Sequence, residues 1–158
     1  MIAQPARIIR SFALAITVLG MAACSFSPPV EVESKSRGAG AQAARIALDQ
    51  VGVPYRYGGS SPGGFDCSGL VQYAYARAGV KVPRTTGQLW SASRTVDTNE
   101  LRAGDLLFFS IEGKMSHVGL YLGEQRFVHA PQSGRTVSVA SLESPFYRAA
   151  LLRVGRPY

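Results

Sequence analysis

Apolar residues recur at helical spacing in the first half of the folded segment and form short apolar segments, separated by turn residues, in the second half. In residues 66–78 the apolar positions fall on one side of a helix, and they comprise Leu70, Val71, Ala74 and Ala78. Asp66 stands before this stripe as a candidate N-cap, and Gly79 stands after it as a natural C-terminal stop. The pattern therefore predicts a helix from Asp66 to Ala78.

The segments on either side of this helix carry further helix and loop signals. A helix is predicted ahead of Gly52 and Pro54, because four positions before them recur at helical spacing: Ala43, Ile46, Ala47 and Gln50. Residues 58–64 are rich in glycine and predict a loop that a substrate backbone can approach closely. A second short helix is predicted over residues 83–92.

The second half of the chain favours strands. Turn residues at Gly104–Asp105, Glu112–Lys114 and Gly123 separate short apolar segments. Strands are predicted over residues 106–110, 117–122, 126–130, 136–139 and 149–154. Because helices come first and antiparallel strands follow, the predicted fold class is α+β.

The N-terminus is interpreted as a secretion signal. Arg7 and Arg10 precede an uncharged stretch from Ser11 to Ala23, whose 13 residues are fewer than the roughly 20 needed to span a bilayer. The small residues before Cys24 resemble a bacterial lipoprotein signal, in which the cysteine becomes the lipidated N-terminus. Ordinary cleavage after Ala23, which would leave a free thiol, is the alternative.

The chain divides into three segments on this basis. Residues 1–23 are the predicted signal peptide, residues 24–41 a flexible tether that begins with lipidated Cys24, and residues 42–158 the folded domain. Ser25 is not the aspartate that typically retains lipoproteins in the inner membrane, so we expect the protein to be anchored in the outer membrane and to face the periplasm. It is expected to be a monomer.

Composition and charge narrow the possible functions. The 158 residues are 46% apolar and carry a net charge of +7, but the basic residues are scattered, whereas a surface that tracks phosphates usually clusters them. Nucleic-acid binding is therefore not expected. Once Cys24 is acylated, Cys67 has no cysteine left to pair with, so it needs a functional explanation.

Cys67 falls in the first turn of the predicted helix 66–78, where free N–H groups and the helix dipole favour an anion. This position is expected to lower the thiol pKa from its usual value of about 8.5. The chain has two histidines, His117 and His129, and both fall on neighbouring predicted strands. A thiol and an imidazole oriented by a third group form the usual nucleophile and base of cysteine hydrolases.

The turn between the two strands decides whether the histidines can meet. A three-residue loop at 123–125 would place Gly119 opposite His129, with His117 as its diagonal neighbour on the same face. A loop of two or four residues would put the rings on opposite faces, unless a bulge restored the phase. The catalytic interpretation therefore requires an odd loop or a bulge.

Several short motifs occur in order along this domain. Residues 54–59 read Pro-Tyr-Arg-Tyr-Gly-Gly, 65–71 read Phe-Asp-Cys-Ser-Gly-Leu-Val, 104–106 read Gly-Asp-Leu, 116–123 read Ser-His-Val-Gly-Leu-Tyr-Leu-Gly and 127–130 read Phe-Val-His-Ala. Together they resemble the NlpC/P60 family over roughly residues 43–154. The resemblance implies a papain-like fold, with N-terminal helices packed on a central antiparallel sheet, and cleavage of peptide bonds in peptidoglycan stem peptides. It implies no metal and no organic cofactor.

The same resemblance assigns roles to residues. It implies that Cys67 is the nucleophile, His117 the base, and His129 the polar residue that orients the base. Tyr55 is expected to border the reaction centre and to help bind the oxyanion. The remaining candidates for substrate contacts are Asp66, Ser68, Arg84 and Gln88. In the folded domain, the Cys67 sulfur is expected about 3–4 Å from one nitrogen of His117, and the other nitrogen within hydrogen-bond distance of His129.

Other functions remain open from sequence alone. Cys67, His117 and His129 could be three ligands of a zinc ion. The domain could also be a non-catalytic lipoprotein that binds peptidoglycan. Within the enzyme class, the bond cleaved is either the one between D-glutamate and the following diamino acid or the cross-link between stem peptides, and a short lipoprotein resembles the cross-link-cleaving type.

Overall fold

The computed structural model describes residues 31–157, with side chains described from Gly38 onward. Four α-helices are numbered in chain order: α1 Glu31–Leu48, α2 Cys67–Arg77, α3 Thr86–Ala92 and α4 Pro145–Ala150. Eight strands are numbered likewise: β1 Ser60–Ser61, β2 Gly64–Phe65, β3 Arg94–Val96, β4 Leu106–Ile111, β5 Lys114–Gly123, β6 Arg126–His129, β7 Ser138–Ser141 and β8 Leu151–Arg156. A 3-10 turn covers Thr98–Glu100.

Six of the strands form one antiparallel sheet in the order β3-β8-β4-β5-β6-β7, and β1 and β2 form a separate two-stranded hairpin. Helices α1 to α3 precede all six strands of this sheet in the chain, so the predicted α+β class is confirmed. The β1–β2 hairpin occupies the glycine-rich loop.

Strand alternation gives the sheet two apolar faces. Leu106 and Phe108 of β4 point into a core with α1, α2 and α3, whereas Leu107 and Phe109 point into a smaller core with Tyr147 of α4. All four of these β4 side chains are fully buried. The sheet is therefore covered on both sides near the strands that carry the two histidines.

Helix α2 forms where its local signals predict. The Asp66 carboxylate accepts a hydrogen bond from the N–H of Gly69, which makes Asp66 the N-cap. Leu70, Val71 and Ala74 are buried against the first core, and Ala78 packs against it from a half-buried position. Packing of this stripe fixes the start of the helix, and with it the position of Cys67.

The first helix is longer than predicted. Residues 31–41 were expected to belong to the flexible tether, but α1 begins at Glu31 and includes them. Gly40 packs so closely on Gly104 that a side chain at Gly104 would collide with the Gly40 backbone. A glycine that resembles a linker residue in the sequence is thus a packing residue in the fold, because it allows α1 to approach the loop before β4.

The β5–β6 hairpin contains the bulge on which the catalytic interpretation depends. Glu124 and Gln125 form a two-residue turn with positive φ angles of 51° and 55°. Gly123 pairs with Arg126, whereas Tyr121 pairs with Phe127, so Leu122 is the extra residue of a bulge. Continuing the register of the Tyr121–Phe127 pair along the strands puts Gly119 across from His129, which is the arrangement needed for both histidines to share one face.

Some elements differ from the predictions. Strand β3, the 3-10 turn and α4 were not predicted, and α4 occupies the first residues of the segment 149–154 that was expected to be a strand. Strand β7 is shifted by two residues from the predicted segment 136–139. Within residues 31–157, no helix is both long and apolar enough to cross a bilayer. The predicted signal peptide and Cys24 lie outside the described residues.

Candidate active site

The start of α2 is held by a network centred on the Asp66 carboxylate. Its Oδ1 accepts hydrogen bonds from Gly69 N–H at 2.7 Å and from Arg84 at 2.9 Å, and its Oδ2 accepts from Gly58 N–H at 2.9 Å and from Arg84 at 2.6 Å. Burial alone would raise the Asp66 pKa, but the hydrogen bonds from Arg84 and Gly69 outweigh it, and the pKa is lowered. The carboxylate is therefore charged and fixed beside the next residue, Cys67.

The Cys67 thiol is half-buried at the first position of α2. Its sulfur lies 3.8 Å from Thr86 Oγ1 and donates to the carbonyl of Ser116 at 3.9 Å. Burial raises the pKa of this thiol, and hydrogen bonds from Thr86 and from the Val118 and Ser68 backbones only partly oppose that effect. The expectation that the helix start lowers the thiol pKa was wrong, because desolvation outweighs these stabilising contacts.

The N–H groups of the first turn of α2 are not all used within the protein. The side chain and carbonyl of Asp66 accept from Gly69 and Leu70. The Cys67 N–H donates to no backbone acceptor among the described residues, and the Ser68 N–H lies against the Cys67 sulfur. Two N–H donors next to a nucleophilic sulfur are the arrangement that stabilises an oxyanion.

The two histidines are in direct contact. His117 Nε2 and His129 Nδ1 are 2.7 Å apart, and the rings meet edge to face with their centroids 5.0 Å apart. This confirms the predicted hydrogen bond between them. Burial lowers the pKa of His117 to about 4, and burial together with the neighbouring His117 lowers the pKa of His129 to about 3. Both rings are therefore neutral at pH 7.

Cys67 forms no hydrogen bond with His117, and the expected separation of about 3–4 Å between its sulfur and a His117 nitrogen stays a prediction. Among the described residues the thiol bonds to Thr86 and Ser116 and to neither histidine. The His117 ring instead lies against Phe109, across the strand pair, while Cys67 reaches β5 from the side of α2. His117 Nδ1 is the nitrogen that the contact with His129 leaves available to the thiol.

One cleft of about 330 Å³ contains all three residues. Its lining is formed by Tyr55, Cys67, Ile111, Glu112, Ser116, His117, His129, Pro131, Gln132, Phe146 and Tyr147. Burial raises the pKa of Tyr55, and the neighbouring Cys67 and Asp66 raise it further, so its hydroxyl stays protonated. Because Tyr55 is one of the lining residues, the structure places it at the border of the cleft, as the family resemblance implies.

The other four predicted substrate contacts are not among the residues that line this cleft. Arg84 binds the Asp66 carboxylate with two nitrogens and donates to Ser68 Oγ at 3.0 Å. Gln88 is exposed, and its side chain accepts from the N–H of Thr85 in a capping box at the start of α3. These side chains hold α2 and α3, and their roles as substrate contacts stay predictions.

Tyr147 was not identified from sequence. Its hydroxyl lies 3.5 Å from His129 Nε2, and its ring packs edge to face on His129, Phe109 and Phe127. It comes from α4, the helix that the strand pattern did not predict. A tyrosine in a short segment without helical periodicity carries no local signal of such a contact.

Comparison with known proteins identifies the domain that carries this site. Residues 52–156 match the NlpC/P60 family. The chain belongs to the NlpC/P60 family.

Curated relatives include the murein DD-endopeptidase MepH of Escherichia coli, which is 39% identical over 107 residues, covering 64% of this chain and 40% of the relative. The bifunctional muramidase/DL-endopeptidase CwlT of Bacillus subtilis is 43% identical over 114 residues, covering 70% of this chain and 34% of the relative. The chain thus matches less than half the length of either protein.

A solved structure of a peptidoglycan hydrolase has the same fold. The peptidoglycan hydrolase RipB of Mycobacterium tuberculosis superimposes with a TM-score of 0.67 at 35% identity, over 83% of this chain and 72% of that protein. The NlpC/P60 match starts at residue 52, so α1 precedes the matched region.

The zinc alternative finds no support in the geometry of this NlpC/P60 site. Among the described residues, no group of three or more histidine, cysteine, aspartate or glutamate side chains is placed to hold a metal ion. His117 Nε2 and His129 Nδ1 are directed at each other, so their lone pairs do not converge on a common point with the Cys67 sulfur.

Proposed function

We propose that this protein is a cysteine endopeptidase that hydrolyses amide bonds in the stem peptides of peptidoglycan or in their cross-links. The observation that carries the proposal is the cleft in which Cys67, His117 and His129 lie together, with the histidines joined at 2.7 Å. Membership of a family whose curated relatives are named as endopeptidases supports the same reaction class.

In the proposed mechanism, His117 Nδ1 takes the proton of the Cys67 thiol as the sulfur attacks the amide carbonyl. Nδ1 must then be unprotonated in the resting enzyme, so His117 Nε2–H donates to His129 Nδ1. His129 consequently carries its proton on Nε2, which faces the Tyr147 hydroxyl. His129 thus holds the His117 ring in the tautomer that can accept a proton.

The tetrahedral intermediate carries a negative oxygen. The N–H groups of Cys67 and Ser68 are the proposed donors to it, and the protonated Tyr55 hydroxyl at the border of the cleft is a third. The His117 imidazolium then gives its proton to the leaving nitrogen. A water molecule, deprotonated by the same ring, hydrolyses the thioester and frees Cys67.

Burial favours the neutral forms of Cys67 and His117 in the resting enzyme. With the thiol pKa raised and the His117 pKa lowered to about 4, a thiolate–imidazolium pair is not expected in the free enzyme at pH 7. The proton is expected to move only when substrate is in place and the charges form together.

The test is digestion of purified peptidoglycan, with mass spectrometry of the released muropeptides to name the bond. Cys67→Ala is expected to abolish cleavage and His117→Ala to reduce it nearly as far, while circular dichroism shows the fold retained. The thiolate absorbance should be absent at pH 7 and appear only above the pH at which an ordinary thiol ionises, because burial raises the pKa of Cys67. Wild-type turnover in Cys67→Ala would sink the mechanism.

We further propose that the protein is a monomer anchored by acyl chains on Cys24 in the outer membrane and facing the periplasm. The lipoprotein-like residues before Cys24 support this, and several acyl chains together give firm anchoring. Cys24→Ser is expected to shift the protein from the membrane fraction to the soluble fraction. A wild-type protein recovered in the soluble fraction with an unmodified Cys24 would contradict the proposal.

A further inference from the structure

A second cavity, of about 370 Å³, adjoins the cleft that contains Cys67. It shares four lining residues with that cleft, namely His129, Pro131, Gln132 and Tyr147. The two spaces therefore form one groove that continues past the histidines. The far wall of the second cavity is formed by Arg135, Thr136, Ser138 and Ala140.

Arg135 is a cation available to a ligand in this groove. It is exposed, and its guanidinium has no salt bridge or hydrogen bond to any described residue, whereas Arg84 and Arg156 are each bound to a carboxylate. Its charge also reaches Tyr147: burial raises the pKa of that hydroxyl, and Arg135 opposes the effect. The guanidinium therefore stands close to the part of the groove that follows His129.

The backbone that carries Arg135 is firmly held. Its carbonyl accepts a hydrogen bond from Tyr55 N–H at 2.8 Å, and its N–H donates to the carbonyl of Gln132 at 3.1 Å. Two residues later, Val137 N–H donates to the Val53 carbonyl at 2.8 Å. The segment is thus tied to the same stretch of chain that places Tyr55 in the cleft, which limits the entropy lost when a ligand is bound.

The proposed proton transfer from His117 indicates which part of a substrate lies in the second cavity. His117 gives its proton to the leaving nitrogen, so the leaving part of the peptide must lie on the histidine side of Cys67. Beyond His129 on that side, the groove leads to Arg135. A guanidinium pairs best with a carboxylate, through two parallel hydrogen bonds.

We propose that Arg135 forms a subsite for a carboxylate on the leaving part of the peptide. This inference rests on the proposed peptidase function and adds a specificity determinant to it. The neighbouring hydroxyls of Thr136 and Ser138 line the same cavity and can hydrogen-bond the bound group.

The probes for the test are two muropeptides of identical sequence that differ at one group. In one, the free carboxyl of the diaminopimelate residue is a carboxylate; in the other it is a carboxamide. When the diamino acid of the stem peptide is diaminopimelate, that residue carries the leaving nitrogen whether the bond cut follows D-glutamate or is the cross-link. Steady-state cleavage of each is followed by chromatography for wild type, Arg135→Gln, Arg135→Lys and, as a control of equal charge change, Arg126→Gln, which removes an exposed arginine paired with Glu124.

Wild type is expected to prefer the carboxylate probe. Arg135→Gln should raise KM for that probe about tenfold or more, as expected for loss of a charge-assisted hydrogen bond, and leave KM for the carboxamide probe unchanged. Arg135→Lys should keep part of the preference, and Arg126→Gln should behave as wild type. Equal effects of Arg135→Gln on both probes, or no effect on either, would overturn the inference.

Failure of the inference can be told apart from failure of the peptidase proposal. Cleavage by wild type that Cys67→Ala lacks supports the peptidase regardless of what Arg135→Gln does. Because Arg135 is exposed and its guanidinium bonds to no described residue, its variants are expected to keep the wild-type melting temperature. Calorimetric binding of the carboxylate probe to Cys67→Ala, with and without Arg135→Gln, measures the same loss without turnover.

Discussion

Replacing Asp66 by asparagine tests whether its charge holds the nucleophile in place. The two side chains have nearly the same shape, so Asp66→Asn keeps one oxygen that can accept from Gly69 and cap α2. The nitrogen that replaces the second oxygen cannot accept from Gly58 or from Arg84. The variant therefore removes the ion pair. It also leaves the Gly58 N–H and an Arg84 nitrogen, both donors, facing the asparagine NH2 group, which is itself a donor.

The cost follows from these lost contacts. A hydrogen bond to a charged group contributes about 1.5–3 kcal/mol, and Arg84 recovers part of the loss because its side chain is 32% exposed and can turn towards water. We expect Asp66→Asn to lower the free energy of unfolding by about 2–3 kcal/mol. Asp66→Ala should lose roughly 1 kcal/mol more because it also removes the cap.

Urea denaturation at pH 7 and pH 3 is the assay, with Asp97→Asn as the control. Asp97 also caps a short helix, through Asn99 N–H at 2.8 Å, but it is exposed, so its replacement should cost only a few tenths of a kcal/mol. The lowered folded-state pKa of Asp66 stabilises the protein above its ordinary value of 3.8, and this contribution is lost as the pH falls through the lowered value. The gap between wild type and Asp66→Asn should therefore shrink at pH 3.

Two results would refute the reasoning. Asp66→Asn as stable as wild type at pH 7 would mean that the ion pair adds nothing. A gap of the same size at pH 7 and pH 3 would mean that it comes from packing and not from the carboxylate charge. Peptidoglycan digestion should fall together with stability, because the same contacts position Cys67.

Two further predictions concern residues outside the sequence-predicted site. Asp105→Ala should destabilise the protein by about 3–5 kcal/mol in thermal denaturation, because it leaves Arg156, whose side chain is 12% exposed, without its 2.6 Å partner. Glu124→Ala breaks an exposed pair and should cost under about 1 kcal/mol. Equal costs for the two variants would contradict the argument. Tyr147→Phe keeps the ring but removes the hydroxyl 3.5 Å from His129, so kcat should fall about two- to fivefold with KM unchanged, and an unaltered kcat would show that the hydroxyl does not help to orient His129.

The elements that could be predicted from sequence are those whose signals are local. Asp66 and Gly79 mark the ends of α2 by their own backbone preferences, and the apolar stripe between them needs no knowledge of the rest of the fold. Helix α4 has no such stripe; it is short, begins at Pro145 and presents Tyr147 to a core made by distant strands. The helical residues before Gly40 were missed for the same reason, since the contact with Gly104 comes from far along the chain.

The candidate active site also has features that could be predicted from sequence and features that could not. The resemblance to the family was enough to predict that one cleft contains Cys67, His117, His129 and Tyr55. The direction of the thiol pKa was not predicted correctly, because the helix start is visible in the sequence but the burial that outweighs it is a property of the packed domain. Gln88 was placed in the cleft by resemblance, while its neighbour Thr85 gives it a local hydrogen-bond partner instead.

The bulge at Leu122 separates the length of the turn from the arrangement of the two histidines. The cross-strand pair of Tyr121 and Phe127 sets which residues share a face, and the chain between them contains one residue more than a bulge-free hairpin with a two-residue turn needs. A deletion there can remove the bulge, and an insertion can enlarge the loop, without changing that pair. The turn at residues 122–126 is thus where this domain can accept changes of chain length, or a grafted peptide, while His117 and His129 stay in contact.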